Sequence, residues 1–125
     1  MLRKKVLIVD DDPNLIKSLG FVFQREGYDF DTAADGEEAL TKVKELEPGV
    51  ILLDIMMPLK NGYEVCEEVK NTPNLSDIHV VILSAKSQEA DRKRGLEAGA
   101  DEFITKPFSP QTIVTKVKQL LGDPV

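Results

Sequence analysis

The sequence predicts an α/β protein, a doubly wound parallel sheet of five β-α units with helices on both faces, and three observations carry that expectation. Apolar runs of strand length alternate five times with segments of helical period, without a repeat, a low-complexity stretch or a linker. Three of those runs are continuous stretches of Val, Ile and Leu, as in parallel strands buried on both faces. Helix starts are marked at Asp12-Pro13, Asp35-Gly36-Glu37-Glu38 and Ser109-Pro110, where a short oxygen-bearing side chain can cap and proline can take the first helical position.

The first strand is expected over Lys5–Val9, followed by a helix that gathers Leu15, Leu19, Val22 and Phe23 on one face. The second strand, Asp29–Ala33, is more polar than the others and reads as an edge of the sheet. Val50–Asp54 and His79–Ser84 form the third and fourth strands, and Glu102–Thr105 the fifth. A fourth helix over Ser87–Ala98 has little apolar content, chiefly Ala90, Leu96 and Ala98, so little burial anchors it. The last helix places Ile113, Val117, Leu120 and Leu121 on the face that covers the sheet.

Composition bounds the function classes. A chain of 125 residues, 42% hydrophobic and 30% charged, is the size and make-up of one folded domain, 1–125. After Arg3, Lys4 and Lys5 only Val6 to Val9 are apolar before three aspartates, too short a run for a signal-peptide core, and no stretch is long enough to span a membrane. The single cysteine, Cys66, cannot form an internal disulfide and is read as a packing residue of a cytoplasmic protein. A net charge of −6 without a basic patch repels nucleic-acid phosphates, so proteins or cations are the expected partners.

Sheets of this kind bind ligands outside the carboxyl ends of their strands, near a switch in strand order. There the first strand delivers Asp10, Asp11 and Asp12, the third Asp54 and the fourth Ser84, while Lys106 stands just past the fifth, before Pro107. Gathered carboxylates repel by about 4 kcal/mol per close pair at an effective dielectric of about 20, so the site calls for a cation. With no Cys or His cluster on offer, hard oxygen-liganded Mg2+ fits best. Such an ion can neutralise charge during phosphoryl transfer, with a lysine and a hydroxyl holding the remaining phosphate oxygens.

Four motifs in order carry a resemblance over essentially the whole chain: Val9-Asp10-Asp11-Asp12-Pro13, Asp54-Ile55-Met56-Met57-Pro58 with Gly62, Leu83-Ser84-Ala85, and Gly99 through Phe108 with Lys106-Pro107 inside it. The chain resembles the receiver domains of bacterial two-component response regulators. That resemblance implies a flavodoxin-like sheet in the order 2-1-3-4-5 and a phosphorylation-activated switch. It makes Asp54 the phospho-acceptor, supplied by a sensor histidine kinase or phosphotransfer protein. Asp11, Asp54 and the Met56 backbone carbonyl would be the protein ligands of Mg2+, with Asp10 acting through a metal-bound water. Lys106 would pair with the carboxylate and then the phosphoryl group, across a cis Lys106–Pro107 bond, which X–Pro sequences tolerate. Ser84 would bond a phosphoryl oxygen and Phe103 turn inward behind it as a switch pair. Met56 and Lys86 stand where the family tunes dephosphorylation, and Met56 cannot orient a water, so self-dephosphorylation is expected to be slow. The domain is thus regulatory, catalysing only its own phosphorylation and dephosphorylation.

From Arg92 to Leu121 the chain resembles the winged-helix transcription-regulator subfamily, whose receivers dimerise through the fourth helix, fifth strand and fifth helix. Asp101 and Glu102 would meet Lys118 and Lys116 of a second copy. Thr112 stands where a glutamate would pair with Arg92, and Lys93 and Thr115 replace apolar residues, so the implied homodimer of the phosphorylated form is weak. The chain stops about one helix after Lys106, and no effector domain is expected within it.

Two other classes fit parts of the pattern. A haloacid-dehalogenase-like phosphatase could use Asp10 and Asp12, with Ser84 and Lys106 as later motifs, but Pro13 is out of place, no late acidic pair follows and Asp54 has no role. A flavin-binding electron carrier would need a Gly/Ser/Thr-rich phosphate cradle in place of three aspartates. Asp12 reads as the cap of the first helix, and His79, the lone histidine, as structural.

Overall fold

The computed structural model describes residues 5–55, 61–85 and 89–123. Strands and helices alternate as β1 (Lys5–Val9), α1 (Pro13–Arg25), β2 (Asp29–Ala33), α2 (Gly36–Leu46), β3 (Val50–Asp54), α3 (Gly62–Asn71), β4 (His79–Ser84), α4 (Glu89–Glu97), β5 (Glu102–Thr105) and α5 (Pro110–Leu121). The strands pair in parallel in the order β2-β1-β3-β4-β5, the doubly wound flavodoxin-like arrangement. All five strand bounds match the apolar runs. Of the expected Ser87–Ala98 helix, Glu89–Glu97 is helical; residues 87 and 88 lie outside the described residues, and Ala98 sits in the turn that leads to Gly99 at φ +101°.

The pleat divides each central strand between two cores. Val6, Ile8, Val50, Leu52, Val81 and Leu83 face α1 and α5, where Leu19, Phe23, Ile113 and Val117 meet them. Leu7, Val9, Ile51, Leu53, Val80 and Ile82 face the other way, toward Leu40 and Val43 of α2 and Val65 and Val69 of α3. Continuous apolar strands are therefore required, since every position is an inside position. Each such side chain contributes roughly 1.5–3 kcal/mol by leaving water. Cys66 belongs to the second core; its thiol donates to the Ala98 carbonyl at 3.4 Å, and burial pushes its pKa up to about 12.

At the edge, β2 is half-exposed, and its Asp31 turns toward α2, where Lys42 lies 3.1 Å away. A hydrogen bond from the Thr32 amide, reinforced by Lys42, holds the Asp31 carboxyl below the usual carboxylate range. At the end of the sheet remote from the strand carboxyl ends, the Tyr28 hydroxyl donates to Asp123 at 2.5 Å and Lys118 pairs with Glu26, joining the end of α5 to the turn before β2.

The helix starts read from the sequence are capped as expected. Asp12 accepts from the Asn14 amide at 3.0 Å, Asp35 from Glu38 at 2.8 Å and Ser109 from Thr112 at 3.2 Å. Asn61 and Glu64 close a capping box at the start of α3. These caps stop the chain at the carboxyl edge of the sheet and turn it back. Among the described residues no helix is long and apolar enough to cross a membrane.

Replacing Ile8, buried at 1% exposure between α1 and α5, with Ala is expected to cost about 2–5 kcal/mol. A urea-unfolding midpoint shift at unchanged slope measures this; a shift below about 0.5 kcal/mol, the range of an ordinary surface substitution, would contradict the assigned packing.

Candidate functional site

The register of β1 against β3 builds the core of the site. The two strands pair up to Val9 with Leu53, so Asp10 and Asp54 are the next positions on adjacent parallel strands. The Asp10 amide donates to the Ala33 carbonyl at 3.1 Å, which keeps it beside the sheet, and its carboxylate accepts from the Asp12 amide at 2.9 Å. Asp10 is 1% exposed and Asp54 6%, whereas Asp11 lies exposed at the bend. Asp10, Asp11 and Asp54 each offer a carboxylate oxygen, and those oxygens lie within 4.8 Å of one another. Asp12 serves as the helix cap.

The positive charge arrives from the far edge. Lys106 follows β5, and its amide donates to the Ser84 carbonyl at 2.6 Å, which draws the β5 exit toward the end of β4. Its ammonium reaches across to Asp10 at 3.2 Å and Asp54 at 3.9 Å. The Lys106–Pro107 peptide is cis. Ser84, the last residue of β4, is buried at 1% exposure and pairs with Thr105 in register.

Three carboxylates against one ammonium leave the cluster net negative, and two of them are held away from water. The donor set is all oxygen and open on the Asp11 side, which fits Mg2+, an ion that takes one or two carboxylates and keeps waters and phosphate oxygens in its remaining positions. The Met56 carbonyl, read as a further ligand, and Lys86, read with Met56 as a tuner of dephosphorylation, lie outside the described residues.

Phe103 of β5 is buried at 3% exposure and is covered by α4 at close range: a Cβ on Gly95 would lie 2.9 Å from its ring. Arg92 donates to the Phe103 carbonyl at 3.3 Å and stands 5.8 Å from the ring centroid. The four charges expected at a dimer surface all have partners within the chain. Lys116 lies 3.3 Å from Glu102, and Lys118 pairs with Glu26. Asp101 accepts from the Val80 amide at 2.7 Å and pairs with Lys70 at 2.9 Å, with His79 at 3.8 Å. Sequence reasoning missed Tyr63, which is buried at the start of α3 and bonded to α4; the one signal was an aromatic residue beside Gly62.

Comparison with known proteins agrees with this geometry. Residues 6–118 match the model of the response regulator receiver domain family. The alkaline phosphatase synthesis transcriptional regulatory protein PhoP of Bacillus subtilis is 42% identical over 120 residues, which cover 96% of this chain and 49% of that protein. The DNA-binding response regulator MtrA of Mycolicibacterium smegmatis is likewise 42% identical over 120 residues, covering 96% and 51%. The chain thus spans about half the length of these relatives. Among solved structures, the BeF3-activated receiver domain of DrrB from Thermotoga maritima superposes with a TM-score of 0.86 at 34% identity, covering 98% of this chain and 99% of that one. The chemotaxis response regulator CheY4 of Vibrio cholerae gives 0.88 at 30% identity, covering 95% and 99%. An acidic crevice on a sheet of this order and a family match across nearly all of the sequence lead to one conclusion: the chain belongs to the receiver domain family of two-component response regulators.

Proposed function

We propose that this chain is a phosphorylation-activated cytoplasmic switch in which Asp54 accepts a phosphoryl group from the phosphohistidine of a sensor histidine kinase or phosphotransfer protein. The observation that carries this reading is the juxtaposition of Asp10, Asp11 and Asp54 within 4.8 Å with one ammonium, Lys106, set against two of them.

A carboxylate oxygen of Asp54 attacks phosphorus in line as the bond from phosphorus to the donor imidazole breaks, and the imidazole departs with the electron pair of that bond. Asp11 and Asp54 would hold Mg2+, with Asp10 beside them, and the ion would supply neutralisation of the charge that builds on the phosphoryl oxygens. Asp54 is positioned for the attack by the β1–β3–β4 pairing. Lys106 already spans Asp10 and Asp54 and needs only to swing its ammonium onto a phosphoryl oxygen. The Ser84 hydroxyl, at the end of the neighbouring strand, donates to another. Movement of Ser84 and Phe103 then alters the α4–β5–α5 surface, which is the output.

Through that surface the activated chain forms a weak two-fold dimer. Glu102 and Lys116, paired at 3.3 Å within one chain, can exchange partners with the same residues of a second copy. Asp101 is held by Lys70 and the Val80 amide and Lys118 by Glu26, so both contribute less.

Acetyl phosphate with Mg2+ is expected to add one phosphoryl group, seen by intact-mass spectrometry, and Asp54→Asn to abolish the addition. Labelling that persists in this variant, or that is lost only in Asp10→Asn, would overturn the assignment of the acceptor. Mg2+ at a hundredfold excess over its Kd should stabilise the fold by about 2.7 kcal/mol, read as a rise in melting temperature. Asp11→Asn should raise the melting temperature of the metal-free chain and remove most of the response, because it relieves repulsion and deletes a ligand; a flat titration of the wild type contradicts the metal site. Sedimentation velocity with and without beryllofluoride should reveal self-association of the activated form only, abolished by Lys116→Glu, and an activated chain that stays monomeric at high concentration excludes the dimer.

A further inference from the structure

A contact chain that avoids Ser84 and Phe103 runs from the end of β3 to α4, and it starts at Gly62. This residue is so close to the acceptor strand that a Cβ on it would lie 2.6 Å from the Asp54 carbonyl oxygen and 2.9 Å from the Ile55 Cα. Its amide donates to the Ile55 carbonyl at 3.1 Å. The first turn of α3 is therefore backed directly onto the peptide that follows Asp54, and a shift of that peptide has to be taken up by α3.

The next residue carries the contact onward. Tyr63 is 4% exposed, its hydroxyl donates to the Asp91 carbonyl of α4 at 3.2 Å, and the Arg94 guanidinium lies 4.2 Å from its ring centroid. Asp91 and Arg94 are neighbours one helical turn apart, so one side chain grips both the backbone and the face of α4. Burial first, and then the Asp91 carboxylate, hold the phenol above its ordinary pKa.

The other polar grip on α4 comes from β5, where Arg92 donates to the Phe103 carbonyl at 3.3 Å. Gly95 is its one buried position among the described residues, and Glu89, Asp91, Arg92, Lys93, Arg94 and Glu97 make six of its nine residues charged. Its seat is formed by Phe103 and Ile82 under Gly95 on one side and by Tyr63 on the other.

We propose that Tyr63 is a positioning residue that links the acceptor strand to α4, passing movement at the end of β3 through Gly62 to the output surface independently of Ser84 and Phe103. This rests on the reading of Asp54 as acceptor, but the resting contact does not. The latch opposes any displacement of α4, and by reciprocity releasing it favours the phosphorylated arrangement.

The test uses the whole chain with two mild variants, Tyr63→Phe, which removes only the hydroxyl, and Arg94→Gln, which removes the cation over the ring. Hydrogen exchange of the unphosphorylated protein is expected to quicken in Glu89–Glu97 by about fivefold in Tyr63→Phe, the factor that loss of one ordinary hydrogen bond brings, while α1 and α5 keep wild-type rates. Arg94→Gln should act in the same direction. Beryllofluoride with Mg2+ should bind more tightly to both variants in a titration, a readout that a purely structural contact would leave unmoved. Wild-type exchange in α4 of Tyr63→Phe overturns the latch. Faster exchange with an unchanged beryllofluoride affinity overturns the coupling. A wild-type chain that takes no label from acetyl phosphate defeats the acceptor assignment, and with it the coupling, while the exchange arm still decides the latch.

Discussion

The parallel register of β1 with β3 is the constraint on which the rest of the site depends. Because the strands run together to Val9 and Leu53, the residues that follow cannot avoid each other, and both are aspartates. Two buried carboxylates on adjacent strands are unfavourable in isolation. Lys106 answers part of that charge from the opposite side of the crevice, and it can do so only because β4 and β5 extend the sheet far enough to bring its chain segment back over Asp54. The two apolar cores, with fully buried residues in every central strand, hold the register against this repulsion. Fold and site are coupled: the sheet tolerates the charges, and the charges create the demand for a cation.

Much of this was legible in the sequence for identifiable reasons. The strands could be bounded because runs such as Val50 to Leu53 have no polar interruption and end in a charged or hydroxyl residue. Asp10, Asp54, Ser84 and Lys106 could be grouped because each stands at or just past such an end, and parallel strands bring those ends to one edge. The cap at Asp12 was readable from Pro13 alone.

What was not legible depends on pairing between distant elements. The sequence makes Asp101 a candidate to meet Lys118 of a second copy but does not announce its partners within the chain. In the fold, β5 begins beside the start of β4, where the Val80 amide needs an acceptor and Lys70 reaches in from α3, so the carboxylate is drawn inward. Tyr63 and Arg94 meet across two helices far apart in sequence, and no period within either helix encodes that contact. α4 offers no apolar stripe to mark its end; Ala98 donates to the Arg94 carbonyl at 3.0 Å, and the left-handed turn at Gly99 stops the helix there.

The edge strand carries a consequence for life in a crowded solution. A sheet that ends in β2 presents backbone donors and acceptors to any strand that drifts alongside, the usual beginning of aggregation. Here Asp29 stands exposed on that strand, and Asp31, whose carboxyl the Thr32 amide and Lys42 hold below the usual carboxylate range, lies on the face toward α2. A strand added there would strip water from charges that have no better partner to gain. The polar character that marks β2 as an edge therefore also discourages the sheet from growing into a fibre.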